Sequence, residues 1–334
     1  MTFGDSLSYI IIFYTQLETS IGAVSRLKTF SDKVEPESRE GEDIVPASDW
    51  PLKGGIQIRG VSASYGVAAG AEHASDSQQL ALVDLNLDIA PGEKVAICGR
   101  TGSGKSSTIL LLLRLLDPLP SCNENITIDG TPLHKIDRST LRQRIIAVPQ
   151  DPVFLPDGTS FQANLDPLGL STAAECRAVL EAVDLWASLV DPPARGGGPG
   201  LAGPLAADAL SQGQKQLFSL ARAILRRRIR ARTRTRTRTR AGSDDSGILL
   251  LDEVSSSVDR DTDRAMQQII KDEFAGYTIV MVSHRLDVVM DFDRVVVMDS
   301  GRIVETGPPR DLVELESSRF GELWMIGNES RGKA

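Results

Sequence analysis

Residues 99–107 read GRTGSGKSS, in which Gly99, Gly104, Lys105 and Ser106 satisfy the spacing GxxxxGK[ST]. EKVAIC (93–98), a short apolar run with strand character, leads into it, and ILLLLRLLD (109–117), strongly helical until Pro118, comes after it. Strand, glycine loop and helix in that order make a phosphate-binding loop. The glycines let the backbone turn tightly and aim N–H groups at phosphate oxygens, the helix N-terminus adds partial positive charge, and Lys105 adds a full one. The Ser106 hydroxyl is suited to ligate Mg²⁺. Arg100, Thr101, Gly102, Ser103 and Ser107 complete the set expected around the phosphates.

Outward from the loop, ILLL (248–251), TIVMV (278–282) and VVVM (295–298) are continuous apolar runs bounded by polar residues. Such runs suit strands buried on both faces of a parallel sheet, and the helical patterns between them predict an α/β architecture. Asp252 and Glu253 then fall at the exposed end of a buried strand, where ligands of parallel sheets sit. Asp252 is expected to hold Mg²⁺, and Glu253 to polarise an attacking water as general base. On the N-terminal side, IQIRGVSASY (56–65) and LVDLNLDIA (82–90) alternate apolar and polar residues and predict half-buried strands, with GVAAGAEHASDSQQ (66–79) as a surface loop between them.

The rest of the chain reads as appendages to one main domain. With 334 residues, 41% hydrophobic and 25% charged, and a mean hydropathy of -0.10, the composition excludes a chain embedded throughout in a membrane. A net charge of -8 gives no general reason to expect nucleic acid as a partner. Three cysteines, Cys98, Cys122 and Cys176, without CxxC spacing fit a reducing compartment and no zinc site. Leu7 to Tyr14 is apolar but far short of the ~20 residues that span a bilayer. TQLETSIGAVSRLKTF (15–30) has helical spacing, and residues 31–52, acidic and interrupted by Pro36, Pro46 and Pro51, read as a linker. Residues 155–230 carry helical text with little strand character, hence an inserted helical subdomain. Residues 226–240 read RRRIRARTRTRTRTR, and 231–247 are expected to be a solvated low-complexity insertion.

A phosphate-binding loop alone leaves several NTPase classes open. LSQGQKQLFSLARAIL (210–225) closely resembles the ABC signature, usually LSGGQ followed by a helix with Arg-Ala: Leu210, Ser211, Gly213 and Gln214 match, and Gln212 takes the variable third place. VPQDPVF with Gln150 resembles the Q-loop, SSVD ending at Asp259 the D-loop, VSHRL with His284 the switch histidine, and Tyr65 the adenine-stacking aromatic of that family. Base stacking is worth ~1–3 kcal/mol and reads no hydrogen bonds. TSIGAVSRLKTFSDKVEPE, DWPLKGGIQIRGVSASY, FQANLDPLG and DEVSSSVD narrow the resemblance to the second nucleotide-binding domain of C-subfamily ABC transporters, the multidrug-resistance-associated group.

That resemblance implies a P-loop NTPase core with an antiparallel β subdomain and an inserted helical subdomain over residues 53–328, followed by a tail at 329–334. It implies that residues 1–30 correspond to the end of a last transmembrane helix and its connection, and that the chain is a C-terminal piece lying on the cytoplasmic face of a membrane. Its ligands would be ATP and Mg²⁺. Two such domains meet head to tail in the family, so Lys105, Ser106, Gln150, Asp252, Glu253 and His284 would serve one site, with Gln150 also near the metal, and Ser211, Gln212, Gly213 and Gln214 the opposite one. A second nucleotide-binding domain and the transmembrane domains are the implied partners. A soluble ABC ATPase outside transport, and a fragment that binds nucleotide without turnover, stay open as alternatives.

Overall fold

A computed structural model of the chain describes residues 3–34, 37, 39, 41–65, 80–190, 200–237, 245–254 and 258–331. The expected loop at 66–79, Ser255–Ser257 of the D-loop text, residues 238–244 of the expected insertion and the end of the tail at 332–334 lie outside them.

The chain divides into two compact units, residues 1–42 and 43–334. In the first, the apolar run and the helical-period text join in one helix, α1 (Phe3–Lys33). Thr15, Thr19 and Ser20 donate their hydroxyls to the carbonyls of Ile11, Thr15 and Gln16 at 2.8–2.9 Å, so these polar groups are met within the helix itself. Among the described residues no helix is long and apolar enough to cross a membrane.

The second unit runs β1 (Ile56–Ala63), β2 (Leu82–Ile89), β3 (Lys94–Gly99), α2 (Lys105–Leu112), β4 (Ile126–Ile128), β5 (Thr131–Pro132), α3 (Arg138–Arg144), β6 (Ile146–Val148), α4 (Phe161–Leu165) and α5 (Ala173–Ala182). It continues through α6 (Gln212–Thr237), β7 (Ile248–Asp252), α7 (Arg260–Glu273), β8 (Thr278–Val282), α8 (Leu286–Val289), β9 (Arg294–Asp299), β10 (Arg302–Gly307), α9 (Pro309–Glu314) and α10 (Arg319–Arg331). Four strands form an antiparallel sheet in the order β2-β1-β4-β5, and six form a second sheet in the order β10-β9-β3-β8-β7-β6. Within the second sheet the five strands from β9 to β6 are mutually parallel, and β10 joins the edge antiparallel. The continuous apolar runs are buried along their whole length, Leu249, Leu250, Val280 and Val295 among them. The fold is α/β, as expected, with an antiparallel sheet set beside the parallel one.

Two large apolar clusters account for this layering. One joins the antiparallel sheet and α2 to one face of β3, β7, β8 and β9. The other buries Phe218, Phe274 and Tyr277 with residues of α5, α6 and α7 on the opposite face. Local signals fix the helix starts. The Asp259 carboxylate accepts from the backbone N–H of Asp261 and Thr262 at 3.1 and 2.9 Å and caps α7, and Thr172 with Glu175 forms a reciprocal capping box on α5.

Over residues 231–237 the structure corrects the expected solvated insertion. Helix α6 runs 26 residues to Thr237, past the boundary expected at 230. Arginine at every second position is low in complexity, but it also places an arginine on the same helical face every fourth residue. Arg226 donates to the Arg142 carbonyl at 2.7 Å, and Arg230 to the carbonyls of Arg144 and Pro51 at 2.6 and 2.7 Å. Arg234, 7% exposed, reaches the carbonyls of Asp49, Pro51 and Ser246 at 2.5, 2.6 and 2.5 Å. The stripe thereby holds the C-terminal end of the expected linker against the domain.

Candidate functional site

Five neighbouring parallel strands, β9, β3, β8, β7 and β6, end on the same edge of the sheet. Each of them gives way there to polar residues: Ser300 after β9, the glycine loop after β3, His284 after β8, Glu253 after β7 and Gln150 after β6. Tyr65, Lys105, Ser106, Gln150, Glu253 and His284 line one open cleft at that edge, about 880 Å³ in volume, with Thr101, Gly102, Gly104 and Ser107 along its floor. Residues far apart in sequence are thus gathered by the register of one sheet.

The loop is built by close backbone approach. Gly99 has φ +149°, and a Cβ there would lie 2.2 Å from the Met298 carbonyl oxygen. At Gly104, φ +99°, it would lie 2.9 Å from that of Ala81. The Lys105 ammonium donates to the carbonyls of Gly99 and Arg100 at 3.1 and 3.0 Å, which keeps its charge at the turn. Ser106 Oγ donates to Asp252 Oδ1 at 3.0 Å, His284 Nε2 stands 2.6 Å from Glu253 Oε1, and the Tyr65 hydroxyl meets Ser107 Oγ at 3.0 Å. Tyr65 is 58% exposed. Burial, by disfavouring charge, holds Lys105 below its ordinary 10.5 and lifts the Asp252 carboxyl above its ordinary 3.8. Each group therefore gains from a ligand of opposite charge.

Gly99, Arg100 and Ser103 of the expected set shape the loop without lining the cleft, Asp252 also falls outside its lining, and Ser103 Oγ is buried with no partner among the described residues. Ser211, Gln212, Gly213 and Gln214 are not brought to this cleft. They sit at the start of α6, where the Ser211 hydroxyl accepts from the Gln214 N–H at 3.2 Å and the Gln214 side chain accepts from the Ser211 N–H at 2.9 Å. Ser300 and Gly301 line the cleft and went unnoticed in the sequence. Their signal is a two-residue hairpin between β9 and β10, both residues at positive φ (48° and 77°). Gly301 N–H donates to Ser103 O at 3.0 Å and its carbonyl accepts from Val83 N–H at 2.9 Å, so the hairpin braces the loop against β2.

The residues present fit a phosphate chain with Mg²⁺. Gly99 and Gly104 leave no room for a side chain, and one lysine and one serine hydroxyl without a partner among the described residues are held at the turn. The adjoining Ser106–Asp252 oxygen pair is the sparse, all-oxygen donor set that Mg²⁺ takes beside substrate phosphates. Ser106, Asp252 and the nearby Gln150 would hold the ion, which supplies Lewis acidity toward phosphate oxygens when bound.

A family model described as "ABC transporter" matches residues 82–229, the stretch that holds the glycine loop, Gln150 and the signature text. The chain carries an ABC transporter nucleotide-binding domain. This ABC domain is 56% identical over 341 residues to ABC-type transporter braE of Annulohypoxylon truncatum, a match that takes in 98% of this chain and 22% of that protein. ABC transporter FUM19 of Gibberella moniliformis is 45% identical over 97% of this chain and 22% of its own length. For ABC multidrug transporter B of Aspergillus fumigatus the figures are 37%, 96% and 19%. The chain thus spans about a fifth of the length of these relatives. In fold it is similar to a bacterial Atm1-family ABC exporter solved with ATP bound, with a TM-score of 0.70 and 22% identity over 97% of this chain and 49% of that one.

As an ATPase, the ABC domain has its chemistry at one end of the cleft. Glu253 presents its carboxylate to the cleft with His284 Nε2 2.6 Å from its Oε1, the arrangement a general base for an attacking water would need. Lys105 and the loop amides are donors that would stabilise charge on bound phosphates.

Proposed function

We propose that the chain is one of two nucleotide-binding domains of an ABC exporter, the second in its polypeptide and of the C-subfamily type, and that it drives export by ATP binding and hydrolysis. The observation that carries this reading is the division of the site. Lys105, Ser106, Gln150, Glu253 and His284 share one cleft, with Asp252 bonded to Ser106 behind its lining, while Ser211 to Gln214 lie at the start of α6 outside it. A head-to-tail pair would place those residues on the partner's ATP, and ATP would then act as the adhesive between the two domains. The relatives' names, one of them a multidrug transporter, support export as the task. They also support membrane domains as partners, with α1 joining the ATPase to them and the domain lying on the cytoplasmic face.

Purified chain should bind Mg-ATP and hydrolyse it slowly, with turnover per chain rising as protein concentration rises and an ATP-dependent dimer visible by light scattering. Turnover per chain independent of concentration, with no such dimer, would sink the paired-domain reading.

A further inference from the structure

Gln150 reaches the cleft from the short segment after β6, and its geometry there depends on what holds that segment. Gln216, one turn into α6, is 1% exposed and donates Nε2–H to the Gln150 carbonyl at 2.7 Å. Its Oε1 is buried with no partner among the described residues. A buried amide that makes one bond and leaves its acceptor unmet is a poor choice for packing alone, because an apolar side chain of the same length would bury without that desolvation penalty. What the amide contributes is direction. Two turns further along α6, Arg222 donates to the Val153 carbonyl, also reaches the Asn164 carbonyl at 2.7 Å, and lies over the Phe154 and Phe218 rings at 5.0 and 5.1 Å. Leu155 N–H donates to Asn164 Oδ1 at 2.9 Å. The main chain from 150 to 155 is therefore pinned at three points, and the pin at Gln150 itself is Gln216.

We propose that Gln216 is a positioning residue, setting Gln150 in the nucleotide cleft from the helix whose first turn carries Ser211 to Gln214. This rests on the reading that Gln150 serves the nucleotide. Displacement of α6 by whatever docks on its N-terminal turn is transmitted through Gln216 to a residue at this domain's own ATP.

The test uses the full chain. In Gln216→Met, measured without nucleotide, amide hydrogen exchange of residues 150–155 should quicken on the order of tenfold while β7 and β8 keep wild-type protection. In Gln216→Glu the donor exists only while the carboxyl is protonated, and burial raises the pH at which it takes up its proton, so the excess exchange over wild type should shrink as pH falls from about 8 to about 4. With Mg-ATP, both variants should lower kcat with the ATP dissociation constant unchanged. Wild-type exchange at 150–155 in folded Gln216→Met overturns the proposal, and if that variant does not fold, a pH-independent Gln216→Glu profile does so. Wild-type chain that binds no ATP, beside the expected exchange pattern, supports the contact and overturns the ATPase reading instead.

Discussion

His284 Nε2 stands 2.6 Å from Glu253 Oε1, a contact between residues that come after two adjacent parallel strands and share no local sequence. Glu253 adopts φ +47°, a left-handed conformation that carries its side chain out of the strand line and into the cleft.

Glu253→Gln keeps the size of that side chain while removing the carboxylate proposed as the base. ATP binding should stay within about twofold of wild type, and phosphate release should fall ~10²- to 10⁴-fold. A titration of ATP binding beside a phosphate-release assay reads both, and undiminished release would remove Glu253 from its role.

Gly99→Ala forces a methyl group to within 2.2 Å of the Met298 carbonyl oxygen, which is sheet backbone and has no room to move. The expected result is loss of ATP binding together with a thermal midpoint lowered by several degrees, since the clash strains β9 as well as the loop. A binding titration and a melting curve check it.

The arginine stripe of α6 should be measurable as stability. Arg234→Ala leaves the carbonyls of Asp49, Pro51 and Ser246 without this donor and should cost about 1.5–3 kcal/mol in urea unfolding. Limited proteolysis should cut residues 43–52 sooner than in wild type. A variant as stable and as resistant as wild type would return the segment to the status of an inert insertion.

Alkali should weaken the fold. Burial pushes the Cys98 thiol from its ordinary 9.0 up to about 12, and burial beside Asp245 pushes the Tyr277 hydroxyl from 10.0 up to about 12. Both groups keep their protons to higher pH folded than unfolded. Their contribution is therefore complete below about pH 9 and is lost as pH rises from there toward 12, by about 4 kcal/mol for Cys98 alone. Urea unfolding across that range should show the decline, and Cys98→Ala should reduce it to the part due to Tyr277.

Much of this was legible in the sequence because long signals are physical constraints. ILLL and TIVMV read as doubly buried strands since nothing polar interrupts them, and the glycine loop read as a phosphate cradle since few turns tolerate that spacing. Strands β4 and β6 escaped notice because three residues cannot establish a period. Ser300 and Gly301 escaped because a hairpin turn looks like any polar gap until the strand beside it is placed. Arg-Thr repetition looked unstructured because composition conceals spacing. What mattered was where the arginines fell on a helix already begun at Gln212.

Helix α6 is also long. Its 26 residues make a rod about 39 Å in length, with the Ser211–Gln214 turn at one end and the carbonyls of Asp49 and Pro51 held at the other. A rod of that length works as a lever: a tilt of about 5° about one end sweeps the far end through some 3 Å, roughly the length of a hydrogen bond. Angular strain too small to disturb the core would suffice to make or break contacts at its tip.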